Sequence, residues 1–478
     1  MTAAALVVYA LLLAAAGLAV WRRPVRALPI FVVGLVLHNA VMDALYASGI
    51  EGRPLTVIQA WKEVLLAVAL SRVATDTARL RRLPFRPQLV DALALAFAAI
   101  VVLYALIPQD WLGGDATAKG VAYALRHDLT GVTAYLLGRC VIPNWRQIRW
   151  LVLATAAVVA VWGLIDAYAV SLDWWRTNGT VSYFRDQLGY PYTPALSGLP
   201  ENFVYNAGGE DDVLRRLVST FLSPLASAYL CVVALLLAPR ARLAAPLAAL
   251  ATAGLFWAYT RAAIAALAVA LVLLAVVARR AWPLAAAVAV AFVGLGFAQV
   301  FPEIGPDTRY TQAELEWQRA NGQLEASGDT TSTKRSSESH LSSLREGAEA
   351  VFTHPQGYGL GNAGEIAFRT EVELQAGESN YTEIGVETGL LGVLLFVAWN
   401  VALVIGLLRA GRPELAAALV AILVVAVQTD AYGIPWLAIC LWWLAGSGVS
   451  SEALAGRTST GDGRRSGRAT GRTVRARS

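Results

Sequence analysis

Apolar residues along this chain fall into long runs of about 17 to 22 residues, each enough for a helix to cross a ~30 Å hydrocarbon core. About thirteen such runs predict as many spans, near 3–21, 28–48, 56–73, 89–107, 119–141, 150–170, 217–238, 244–259, 262–278, 282–300, 385–408, 413–430 and 434–449. They are rich in Ala, Leu and Val and lack the period-two alternation of a membrane barrel. The expected fold is therefore all-α, a polytopic integral membrane protein with 12–13 transmembrane helices. The polar stretches carry arginines at alternate ends of the runs: Arg22, Arg23 and Arg26; Arg79, Arg81, Arg82 and Arg86; Arg146 and Arg149; Arg240 and Arg242; Arg279 and Arg280; Arg409 and Arg412. The positive-inside bias makes those ends cytoplasmic. The long polar segments 171–215 and 301–383 then lie on the outer face, and the odd count places the N-terminus outside.

Composition agrees with this pattern. The chain has 478 residues, 57% hydrophobic and only 15% charged, which excludes an ordinary soluble domain. The run at 3–21 lacks a small-residue cleavage site before a soluble domain and is expected to be a retained span rather than a signal peptide. Cys140, Cys231 and Cys440 lie far apart in or beside spans, without metal-site spacing, and are expected to fill core space. Residues 457–478 hold seven Arg against one Asp. A Gly/Ser/Thr/Arg composition of this kind predicts a disordered, basic cytoplasmic tail attracted to lipid surfaces, separate from a membrane domain over 1–456. Nucleic acid is not an expected partner.

Several spans carry charge. Lys62 and Glu63 lie in the third, Arg126 and Asp128 in the fifth, and Asp166 near the outer end of the sixth. Such groups face the protein interior and pair with one another, or snorkel to the interface. The seventh run opens with Arg215-Arg216-Leu-Val-Ser-Thr-Phe-Leu-Ser-Pro224, two cations at an outer mouth where the positive-inside bias disfavours them. The turn between spans eight and nine reads Trp257-Ala-Tyr259-Thr260-Arg261. These guanidiniums either anchor to lipid headgroups or hold an anion. A lipid pyrophosphate would suit them, since guanidinium stays charged and grips phosphate oxygens through two donors.

The outer segment 301–383 holds the remaining candidates. Residues 337–353 predict a helix capped by Ser336 or Ser337, with an apolar stripe of Leu341, Leu344, Ala348 and Val351. His340 and Arg345 border that stripe, so the helix either lies on the membrane surface or packs on the spans. Next comes His354-Pro355-Gln-Gly357-Tyr358-Gly359-Leu-Gly361, whose alternating glycines permit tight turns and close approach of backbone N–H groups to an anion. It is not a P-loop, since no GK[ST] follows. Asn380 followed by Glu383 resembles a capping box at the start of the eleventh span. Glu387 sits one turn deeper on the same side, and Glu378 precedes the cap on the outer face.

Four stretches in order, Arg216–Pro224, Tyr259-Thr260-Arg261, His354–Gly361, and Asn380-Tyr381 running into Glu387-Thr-Gly389-Leu-Leu-Gly392, resemble the O-antigen ligase and polymerase superfamily of bacterial envelope glycan assembly. The resemblance covers roughly 215–410. It implies a mostly helical, GT-C-like membrane glycosyltransferase of the bacterial cytoplasmic (inner) membrane, with no cofactor and no metal. Its partners would be an undecaprenyl diphosphate-linked glycan and a hydroxyl acceptor. Arg216, Arg261 and Arg215 would hold the diphosphate. Glu378, standing where the family's loop His falls, would act as base, with His340 second and Arg345 supplying charge. His354, Asn380, Tyr381 and Glu387 would support them. These departures fit a divergent polymerase, or a transferase with another acceptor, better than a true ligase. The competing expectation is a transporter or flippase for the same lipid-linked glycan.

Overall fold

The computed structural model describes residues 2–190, 199, 203–206, 212–309, 316, 332–373 and 379–450. Glu378, the side chain of His340 and the tail 457–478 lie outside the described residues.

The first half runs through α1 (Thr2–Arg22), α2 (Ala27–Ala47), α3 (Arg53–Gln59), α4 (Trp61–Leu80), α5 (Leu89–Leu106), α6 (Ala118–Cys140) and α7 (Trp145–Ala169). Short helices α8 (Leu172–Thr177) and α9 (Thr180–Ser182) and strands β1 (Val204–Asn206) and β2 (Asp212–Arg215) follow. Then come α10 (Pro224–Leu236), α11 (Ala244–Trp257), α12 (Arg261–Ala278), α13 (Ala281–Ile304) and β3 (Asp307–Arg309). The chain continues with α14 (Ser332–Thr353), α15 (Gly364–Arg369), α16 (Asn380–Arg409), α17 (Pro413–Val425) and α18 (Leu437–Ser450).

Every expected span corresponds to one of these helices, so the all-α membrane fold holds. Among the described residues seven helices are long and apolar enough to cross a membrane by themselves: α1, α2, α5, α7, α12, α13 and α16. The α3–α4 pair adds an eighth if its 42° bend belongs to one span. Helices α10, α11, α17 and α18 are apolar but shorter, and α6 is interrupted by Arg126, His127 and Asp128.

Three boundaries differ from expectation. The seventh span begins at Pro224 rather than 217, because Ser219 and Leu222 take left-handed backbone angles. Ser223 then caps the helix from its Oγ, ahead of a proline suited to the first helical position. Helix α14 starts at Ser332, before the serines expected to cap it. Ser379, not Asn380, is the N-cap of α16. A three-stranded antiparallel sheet β1-β2-β3 also joins the two long polar segments, pairing Val204 with Arg215 and Asp212 with Arg309.

Small residues let the helices touch. A Cβ on Gly138 would meet the Trp443 carbonyl at 2.1 Å, and one on Gly446 the Tyr135 carbonyl at 2.2 Å, so α6 and α18 pack backbone to backbone. Gly254 likewise seats α11 against Ala160 of α7. Trp399, Trp436, Trp442 and Trp443 fill the centre.

The two ends of the bundle differ. At one, Arg139 clamps Asp91 with two bonds (2.7 and 3.0 Å) and reaches Ser450 and the Arg86 carbonyl, tying α5, α6 and α18 together. The arginines at alternate ends of the apolar runs gather here. At the other end the long loops meet: Gln187 bonds Gly52, Arg369 bonds the Leu188 carbonyl, and Asn362 accepts from the amides of Asp115 and Ala116. We call these the arginine end and the loop end.

Candidate active site at the loop end

The chain approaches the site along the sheet. After β2 the Arg216 amide bonds the Phe203 carbonyl (2.9 Å) and the Leu217 amide bonds the Trp257 carbonyl (3.0 Å). This lays residues 215–217 beside the turn 257–260. The Arg216 side chain, 6% exposed, donates from Nε to the Ala258 carbonyl (3.0 Å) and from Nη2 to Thr260 Oγ1 (2.9 Å). Arg261 follows directly as the first residue of α12 and is half-buried. Tyr259 takes a left-handed φ of 48° and stacks on Phe301 at 4.7 Å. Two cations far apart in sequence are thus fixed on one turn.

Arg215 goes elsewhere. Its Nη2 pairs with Asp166 at 3.0 Å, its Nη1 bonds the Val170 carbonyl, and Trp175 donates to the same Asp166 oxygen at 2.9 Å. The expectation that all three guanidiniums face one anion therefore reduces to Arg216 and Arg261, with Arg215 bolting β2 to the end of α7. The other charges within spans also pair: Glu63 lies 3.5 Å from both Lys62 and Arg126.

The glycine loop does not present an open cradle. Helix α16 breaks at Gly389 (φ 71°, ψ −178°), and the loop enters the break. Tyr358 and Gly359 donate their amides to the Val386 and Glu387 carbonyls (2.7 and 3.1 Å), while the Leu390 amide donates to the Pro355 carbonyl at 2.8 Å. The Gly361 amide does donate to a side chain, the Glu387 carboxyl group at 2.8 Å. Gly357, Gly359 and Gly361 all have left-handed φ, and a Cβ at any of them would strike the neighbouring chain. His354 bonds the Leu112 carbonyl (2.9 Å) and stacks on Tyr358 at 4.0 Å, holding this plug against the loop after α5.

Beside the break lies a buried polar cluster. His127 Nδ1 is 2.8 Å from Asp128, and its Nε2 is 3.1 Å from both oxygens of Asp430. A neutral imidazole has one N–H, so this trio must share a second proton to satisfy both contacts. Asn380 donates to Asp430, accepts from the Tyr432 amide (2.9 Å) and lies 3.3 Å from Glu383. Glu383 Oε1 and Asp128 Oδ2 are buried with no hydrogen-bond partner among the described residues. Such an arrangement can store a proton and pass it on. Tyr229 of α10 reaches Thr429 (3.3 Å), and α12 packs on α17, so the cluster and Arg261 share the loop end.

Residues 246–397 match the O-antigen ligase family. That stretch runs from α11 through the break in α16. It contains Tyr259-Thr260-Arg261, the glycine loop and Glu387, and leaves out Arg216. No curated protein matches the chain. The match supports an enzyme of the glycosyltransferase kind, active in glycan assembly at a membrane.

The remaining residues divide around the matched stretch. Arg345 is exposed on α14, which packs on α16 through Gly347 against Thr382 and Val351 against Gly385. The expected stripe is only partly used: Val351 is buried, but Leu341 is 68% exposed. Tyr381 donates to the Leu423 carbonyl at 2.9 Å and joins α16 to α17. Asn380 and Glu387 come together in the cluster. Sequence reasoning missed His127 and Asp430. The available signal was the same as for Asp128: an ionisable group in an apolar helix needs a partner.

Proposed function

We propose that the chain transfers or polymerises an undecaprenyl diphosphate-linked oligosaccharide on the outer face of a bacterial cytoplasmic membrane. The observation carrying this reading is the Arg216 side chain bonded to Ala258 and Thr260 next to Arg261 at the loop end. In the reaction an acceptor hydroxyl oxygen forms a bond to the anomeric carbon as the carbon–oxygen bond to the diphosphate breaks. The charge left on the diphosphate is met by the guanidiniums of Arg261 and Arg216. Arg345, on the exposed face of α14, adds a further cation. The acceptor proton passes to Glu378, which directly precedes the cap of α16, with His340 as second candidate.

The carrier reading draws on the break in α16, since broken helices mark transporter sites. Here the freed backbone groups at 386, 387 and 390 are already bonded to the glycine loop, which favours a fixed scaffold.

The test uses purified protein, lipid-linked repeat units from the native host and no added metal, with products sized on a gel. Wild type should give a ladder. Arg261→Ala and Arg216→Ala should each slow it by about 10²–10³-fold, and Glu378→Gln by about 10²–10⁴-fold. Substrate bound through the arginines but returned unlengthened would sink the polymerase, and movement of the same glycan across liposomes would put the carrier in its place.

A further inference from the structure

A cleft of about 330 Å³ opens at the arginine end and runs along α11 as far as Phe256. Its depth is apolar: Leu236 of α10, Leu255 of α11, Leu267, Leu271 and Leu274 of α12, and Val290 of α13. Its mouth holds Arg149, Arg240 and Arg280 against one carboxylate, Glu414.

Helices of unequal length line the cleft. Helices α10, α11 and α17 have 13, 14 and 13 residues. At 1.5 Å per residue they reach about 20 Å, well short of a ~30 Å core. Their neighbours α12 and α13 have 18 and 24 residues and extend further. The long α12–α13 hairpin packs beside this short trio, with Trp282 56% exposed at the edge. An apolar cavity of this size does not hold ordered water; beside a bilayer it takes hydrocarbon.

The mouth selects the headgroup. Arg149 is fixed by two bonds to the Leu237 and Ala238 carbonyls (2.6 and 2.9 Å), where α10 ends. Arg240 pairs with Glu414 but keeps 71% of its side chain exposed, and Arg280 is exposed. Arg412 also lies within electrostatic reach of Arg149. The three lining guanidiniums exceed the one carboxylate by two positive charges.

We propose that this cleft is a binding site for an anionic glycerophospholipid, one acyl chain between α10, α11, α12 and α13 and the phosphate on Arg240 and Arg280. The site is independent of the transfer chemistry and needs no assumption about it.

The experiment is native mass spectrometry of the full chain from micelles holding equal phosphatidylglycerol and phosphatidylcholine with identical chains. Phosphatidylglycerol should be retained about tenfold or more over phosphatidylcholine, the scale set by two cations at a membrane surface. The exposed pair Arg240→Gln/Arg280→Gln should abolish that preference with the protein still folded. Thr252→Phe, which fills the apolar part without touching charge, should lower retention of both lipids. Equal retention of the two lipids by wild type, a preference that survives the charge variants, or a cleft occupied by a second copy of the chain would each overturn the proposal.

Discussion

Removing the Asp166 carboxylate would strand the Arg215 guanidinium in a site only 3% exposed. A buried charge left without its partner is costly, so Asp166→Ala should destabilise the protein by about 3–5 kcal/mol. Thermal unfolding in detergent would show it, and a change below 1 kcal/mol would mean that water reaches the pair. Arg216, although it adjoins Arg215, bonds instead to the Ala258 carbonyl and the Thr260 hydroxyl. Gly364 offers a sharper residue-scale test. It has φ 59°, and a Cβ there would lie 1.7 Å from Glu383 Oε1. Gly364→Ala should therefore displace Glu383 and cost roughly 1–3 kcal/mol in backbone strain alone.

At the scale of elements, α16 is two half-helices joined at a residue in a region only glycine enters readily. Gly389→Ala should force either a straight helix or a strained one, expelling the glycine loop in the first case. Limited proteolysis near residues 355–362 reads the outcome: faster cleavage is expected, and unchanged cleavage would show that the loop holds without the break. The spans themselves were legible in the sequence because an apolar run long enough to cross a bilayer leaves few alternatives to helix. The start of α10 was not, since Val218-Ser-Thr-Phe-Leu is as apolar as a helix and only tertiary packing fixes its left-handed turns. Nor was the sheet, because β2 is four residues long and its partner β3 comes from the other long polar segment. Of the site, the Arg216–Arg261 turn and the Glu387 helix could be read from their motifs. The His127–Asp430 contact joins residues 303 apart in sequence, and no local pattern announces it.

Across the whole molecule, buried ion pairs sit at both ends of the bundle with an apolar middle between. The Arg139–Asp91 clamp and the Arg215–Asp166 bolt share no partner, and a helix such as α5, with 18 residues, is about 27 Å long. Asp91→Asn and Asp166→Asn should accordingly add within about 0.5 kcal/mol when combined. A larger coupling, measured by a double-mutant cycle in detergent, would show that the two ends communicate through the core.

The glycine loop threaded into α16 changes how the protein surface should be regarded. Segment 355–361 is loop by shape, yet the amides of Tyr358, Gly359 and Leu390 lie in hydrogen bonds between the loop and the broken helix. Hydrogen–deuterium exchange should find these amides as slow as those inside a transmembrane helix. The chain at the mouth of the site would then be a stationary wall, and a passing glycan would have to fit its contour.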